Sequence, residues 1–209
     1  MIKILVADDH ALVREGLKKI INEQKDMTVS GEAADGQQVL EKITGGEFDL
    51  ILLDLSMPKK SGLDILPTLR LQCPETPVLV LSMYPEEHYA MRVLKAGAAG
   101  YLTKDKVPDE LINAIRKVSK GGKYVSASLA EKLLFELPKN REKAPHETLS
   151  EREFQVLRLI AAGKSTKEIA DTLFLSVKTV GTYRTRIMEK MNMQNTGELI
   201  NYAVTNHLV

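Results

Sequence analysis

From Ile2 to about Lys120 the chain alternates short branched-aliphatic runs with longer amphipathic stretches, and this alternation restricts the fold more than any other feature. Such a pattern describes successive βα units wound around a parallel sheet. The strand candidates are IKILVA, TVSGEA, DLILL, PVLVLS and AGYLT, of which the second is the most polar. Between them HALVREGLKKIINEQ, GQQVLEKITGG, SGLDILPTLRLQ, EEHYAMRVLKAG and VPDELINAIRKVSKGG carry helical spacing with glycines near several ends. Pro67 interrupts the third of these, so that helix either starts just before it or bends there.

The chain of 209 residues is long enough for a second unit. From about Gly121 to Glu147 it turns from a helical start into a charged, proline-punctuated run, which reads as a linker between a domain at 1–120 and one at 148–209. The latter has no strand-like alternation and divides at glycines and Ser/Thr caps into about four helices. No apolar run is long enough to span a bilayer, and acids follow the first strand before a signal-peptide pattern could develop, so a cytoplasmic chain with no membrane partner is expected. The lone Cys73 excludes an internal disulfide and a Cys-rich zinc site. Net charge is only +1, but the basic excess lies beyond residue 120, where it permits an anionic partner.

In an open parallel sheet, ligands bind beyond the carboxyl ends of the strands. Asp8 and Asp9 follow the first strand and Asp54 closes the third, so these carboxylates share one rim. Their crowding is costly without a cation, and a small hard ion such as Mg²⁺ suits oxygen donors. The fourth and fifth strands end in Ser82 and Lys104, a hydroxyl donor and a positive charge that suit a phosphoryl group. Taken singly, each has an ordinary explanation; Asp9, for instance, could cap the helix starting at His10. Independent capping gives no reason for acids on strands one and three and phosphate-friendly donors on four and five.

The second domain opens with a capping box, Ser150 and Glu153, followed by apolar Phe154, Val156, Leu157 and Ile160. Gly163 ends that helix, Thr166 starts the next, and Ser176 precedes a third after a brief turn, which spells helix-turn-helix. At helical spacing Val180, Ile187 and Met191 share one face, with Lys178, Thr182, Thr185 and Glu189 opposite and Gly181 and Arg186 beside them.

The motifs DDH at 8–10, LDLSMP at 53–58, LS at 81–82 and YLTK at 101–104 resemble a bacterial two-component receiver domain. That resemblance implies a flavodoxin-like, doubly wound five-stranded parallel sheet joined to a smaller all-α domain. It makes Asp54 the phosphoacceptor, Asp8 and Asp9 the magnesium acids, and Ser56 the donor of a backbone carbonyl to the metal. Ser82 and Lys104 become the phosphate-contacting pair and Tyr101 the aromatic switch, which would rotate into space left when Ser82 is drawn inward. From about Leu149 to Tyr202, with SVKTV and EL.NYA as anchors, the chain resembles LuxR-type DNA-binding domains, and the whole resembles NarL/FixJ response regulators. The candidate DNA contacts are Lys178, Thr179, Gly181, Thr182, Arg184, Thr185, Arg186 and Lys190. Tyr183 and Gly181 depart from the usual residues of that family, and the glycine removes a potential base contact.

The expected function is that of a transcription regulator binding double-stranded DNA, phosphorylated by a sensor histidine kinase with Mg²⁺ and pairing into a homodimer on phosphorylation. It would be no enzyme beyond promoting its own phosphoryl transfer and slow dephosphorylation. The alternative of a different class is a Mg-dependent phosphohydrolase with Asp54 or Asp8 as nucleophile and a helical accessory domain. Against it, neither acid has a general acid two residues on, since Leu55 and Ser56 follow one and Asp9 and His10 the other. RNA binding lacks an aromatic stacking platform.

Overall fold

The computed structural model describes residues 1–127, 129–131, 144–206 and 208–209. They fall into two compact units, Met1–Leu137 and Pro138–Val209. The central part of the 121–147 stretch lies outside the described residues.

Five strands build the first unit: β1 Ile2–Ala7, β2 Met27–Ala33, β3 Leu50–Asp54, β4 Val78–Ser82 and β5 Gly100–Thr103. They form one parallel sheet in the order β2-β1-β3-β4-β5, the doubly wound order with its switch point between β1 and β3. Helices α1 Ala11–Asn22, α2 Gly36–Gly45, α3 Gly62–Gln72, α4 Glu86–Lys95 and α5 Val107–Val118 make the connections. Every residue of β3 and β4 is buried, as expected of strands covered on both faces. Side chains of a strand alternate between faces. Ile4, Val6, Leu50, Leu52, Leu79 and Leu81 accordingly pack with Leu17 and Ile21 of α1 and Leu111, Ile115 and Val118 of α5. The alternate set, Leu5, Ile51, Leu53 and Val80, is buried as well.

Local details depart from the sequence pattern in instructive ways. Pro67 lies inside α3, where surrounding burial of Ile65, Leu66 and Leu69 outweighs one missing helix bond. Asp9 does not cap α1; His10 is the N-cap residue, and its N–H donates to Asp8 Oδ1 at 2.9 Å. The first residues after α5 run back along β5. Tyr124 bridges Gly100 in parallel, its N–H donating to the Ala99 carbonyl and its carbonyl accepting from Tyr101 N–H, both at 3.0 Å. Only glycine allows this approach, because a Cβ on Gly100 would come within 2.6 Å of the Tyr124 carbonyl oxygen. The Ser126 N–H then donates to Glu86 Oε1 at 3.0 Å, on the first residue of α4.

The second unit consists of a 3-10 turn at Pro145–Thr148 and helices α6 Glu151–Ala161, α7 Thr166–Leu173, α8 Val177–Met191 and α9 Thr196–Thr205. Capping boxes open α6 (Ser150 with Glu153) and α7 (Ser165 with Glu168), while Ser176 and Asn195 cap α8 and α9. Phe154, Leu157, Ile169, Val180, Ile187, Leu199 and Ala203 supply its buried interior. Among the described residues no helix is long and apolar enough to cross a membrane.

Candidate functional site

The parallel register brings the acids together. Ala7 pairs with Leu53, so Asp8 and Asp54 leave their strands side by side. On the next strands Asp54 pairs with Leu81 and Ser82 with Thr103, which sets Ser82 and Lys104 at the same end of the sheet. The loop after β3 folds back tightly: Gly62 N–H donates to the Leu55 carbonyl at 3.0 Å, and a Cβ at Gly62 would run into the Asp54 carbonyl.

Lys104 Nζ donates to Asp8 Oδ2 at 2.6 Å and to Asp54 Oδ2 at 2.9 Å, all three groups being largely buried. Burial pushes the Asp54 carboxyl above the ordinary aspartate value and the Asp8 charge adds to this, with the Lys104 ammonium opposing. For Lys104 burial acts downward, but the charge of Asp54 and hydrogen bonds to both acids outweigh it and hold the amine above the ordinary lysine value. Ligand atoms of Asp8, Asp9, His10 and Asp54 all lie within 4.8 Å of one another. Asp9 Oδ1 is a buried atom that forms no hydrogen bond among the described residues, with His10 Nδ1 2.7 Å away. An oxygen-rich cluster with an acceptor left over fits a divalent cation, with Asp8, Asp9 and Asp54 as side-chain donors.

Sequence reasoning missed Tyr84, which touches three of the expected positions. Its N–H donates to Ser82 Oγ at 3.1 Å, its hydroxyl accepts from Ser56 Oγ at 3.2 Å, and its carbonyl accepts from the Tyr101 hydroxyl at 2.8 Å. Its ring stacks on Tyr89 with 4.5 Å between centroids. An aromatic two residues beyond Ser82 was the available signal. Tyr101 is buried, with its hydroxyl on the Tyr84 carbonyl.

In the second unit α8 buries Val180, Ile187 and Met191, the face expected of it, and exposes Lys178, Gly181, Thr182, Arg184, Thr185 and Arg186. Thr179 is half-buried, with its hydroxyl 2.7 Å from Ser176 Oγ. Thr182 and Thr185 donate their hydroxyl protons to the carbonyls of Lys178 and Gly181, at 3.1 and 3.2 Å. They therefore turn lone pairs and methyl groups outward. Lys190 is engaged elsewhere, its ammonium donating at 2.7 Å to Glu153 Oε2 in the capping box of α6.

Residues 4–116 match the family described as response regulator receiver domain, and residues 147–203 match bacterial regulatory proteins of the luxR family. The chain is 40% identical over 214 residues to the oxygen regulatory protein NreC of Staphylococcus carnosus (strain TM300), covering 99% of each. It is similar in structure to the RcsB response regulator of Salmonella typhimurium, with a TM-score of 0.62, 27% identity, and coverage of 98% of this chain and 100% of the other. A second RcsB structure, a complex with DNA, matches with a TM-score of 0.59 at 27% identity over 97% of this chain and 98% of the other. With a parallel α/β unit whose strand ends gather acids, a helix-turn-helix unit following it in the chain, and relatives along its whole length, the chain belongs to the NarL/FixJ family of two-component response regulators, transcription regulators that join a receiver to a LuxR-type DNA-binding domain.

Proposed function

We propose that Asp54 accepts a phosphoryl group from the phosphohistidine of a sensor histidine kinase, and that this controls DNA binding through α8. The observation that carries the first half is the Lys104 ammonium placed on both Asp54 and Asp8 at the end of the sheet. An Asp54 oxygen attacks phosphorus, the phosphorus–nitrogen bond breaks, and the donor imidazole leaves with the electron pair. Lys104 then turns from the carboxylates to an equatorial oxygen of the new acyl phosphate, and Ser82 donates to another. Asp8, Asp9, Asp54 and the Ser56 carbonyl would hold Mg²⁺, which neutralises charge on the transferred group. The chain acts on no external substrate beyond its own phosphorylation and slow dephosphorylation, and it works in the cytoplasm.

We assign the receiver role to residues 1–120, the linker to 121–147 and DNA binding to 148–209. Lys178, Thr179, Gly181, Thr182, Arg184, Thr185 and Arg186 meet duplex DNA, in keeping with the exposed polar face of α8. Lys190 has the weakest claim, because its ammonium serves Glu153. Phosphorylation pairs two copies on repeated half-sites and so raises effective concentration.

Acetyl phosphate with Mg²⁺ should label the protein once, and Asp54→Asn should abolish the label while leaving the fold intact. A label that resists hydroxylamine, survives Asp54→Asn or turns over a generic phosphate ester for many cycles would reject the assignment.

A further inference from the structure

The acid cluster contains one donor of a different kind. His10 caps α1 from extended backbone, and its Nδ1 lies 2.7 Å from Asp9 Oδ1 and 3.4 Å from Asp8 Oδ1. That Asp9 oxygen is buried and forms no hydrogen bond among the described residues, the His10 Nδ1 contact being an ion-pair contact outside hydrogen-bond geometry. Ligand atoms around one ion bound at about 2.0–2.3 Å sit roughly 3–4.5 Å apart. The four side chains, whose ligand atoms lie within 4.8 Å of one another, thus form a set that one ion can satisfy after small side-chain rotations. The imidazole side chain is 68% exposed, so it is free to make that rotation, while the backbone N–H bond to Asp8 fixes where the residue starts.

We propose that His10 is a further protein ligand of this metal site and tilts its choice toward a borderline divalent ion such as Mn²⁺, at the expense of Mg²⁺. The proposal rests on the metal role assigned above to Asp9 and Asp54 and adds a nitrogen to it. Mg²⁺ prefers oxygen ligands and retained waters, whereas imidazole gains affinity along the first transition series. A nitrogen donor therefore strengthens Mn²⁺ binding more than Mg²⁺ binding.

The test is calorimetric titration of the full chain with MnCl2 and, separately, MgCl2, for the wild type, His10→Ala, His10→Asn and Asp9→Ala. His10→Asn keeps a good N-cap residue and controls for loss of the helix start. Both His10 variants should weaken Mn²⁺ by about tenfold and Mg²⁺ by less than about twofold, and substoichiometric Mn²⁺ should broaden the His10 ring resonances of the wild type. Equal losses for the two ions, or no loss for either, would overturn the role of His10. If instead Asp9→Ala binds both ions as tightly as the wild type, the underlying assignment of the site fails, and His10 with it.

Discussion

The hydroxyl of Tyr101 is held on the backbone carbonyl of Tyr84 at 2.8 Å, inside the unit. Since Tyr84 also receives Ser56 Oγ on its own hydroxyl and places its N–H on Ser82 Oγ, one residue joins the loop beyond Asp54 to the end of β4 and to the interior of β5. Tyr101→Phe keeps the ring and removes the hydroxyl that donates to the Tyr84 carbonyl. It should cost about 0.5–1.5 kcal/mol in urea unfolding. Labelling of Asp54 should persist while the gain in DNA affinity on phosphorylation shrinks, as read by titration of both forms; an undiminished gain would remove Tyr101 from the coupling.

Lys104→Ala leaves Asp8 and Asp54 buried beside each other without their shared cation. Breaking a buried pair in this way costs about 3–5 kcal/mol. The variant should unfold at lower urea concentration in EDTA and recover more on adding Mg²⁺ than the wild type does. Identical Mg²⁺ responses in the two proteins would show that ammonium and metal do not share the same acids.

Glu153 makes the second unit sensitive to acid. Its burial acts upward on its pKa, but hydrogen bonds from the Lys190 ammonium and from Ser150 outweigh this and hold the carboxyl below the ordinary glutamate value of 4.5. A depressed pKa stabilises the fold above the unfolded value, and that contribution drains away as pH falls through the folded one. Glu153→Gln should lower stability by about 1–2 kcal/mol at neutral pH and flatten the acid limb below about 4.5. Amide exchange in α6 across that range reads both effects.

Gly181 offers a way to separate helix stability from DNA readout. Apart from the adjoining residues and the backbone of α8 itself, no described atom lies within 4 Å of where its Cβ would stand, and the position is exposed. Gly181→Ala should stabilise α8 by about 0.5–1 kcal/mol while changing the surface presented to bases. Lys178→Ala and Arg186→Ala should instead weaken all DNA sequences and lower the salt slope by about one unit each. Thr182→Ala should shift sequence preference more than affinity, because the hydroxyl directed to the Lys178 carbonyl leaves an acceptor and a methyl for a base edge. Unchanged affinity after replacing Lys178, Thr182, Thr185 and Arg186 together would reject this face.

What the sequence disclosed follows from the range of the forces involved. Strand runs, the Ser150–Glu153 capping box and the buried stripe of α8 depend on neighbours in the chain, and Asp8, Asp54, Ser82 and Lys104 were placed because strand ends in a parallel sheet share a rim. Tyr84 was hidden, since its partners Ser56 and Tyr101 lie 28 and 17 residues away and its backbone serves as much as its side chain. Lys190 was a candidate DNA contact, yet it finds Glu153 at a separation of 37 residues. Pro67 and His10 show the opposite limit: local preference was readable, but tertiary burial decided the first and the acid cluster gave the second its surroundings.

The strand-like return of the chain at Tyr124 bears on how this protein is cut. β5 is the last strand of the sheet, and Tyr124 satisfies the Ala99 carbonyl and the Tyr101 N–H that would otherwise face water. A fragment ending at residue 120, where the amphipathic pattern stops, bares that edge. Exposed edge groups invite pairing with another chain. Such a fragment would self-associate for reasons unrelated to phosphorylation, whereas one extended past Ser126 keeps its border sealed and its solution behaviour attributable to Asp54 alone.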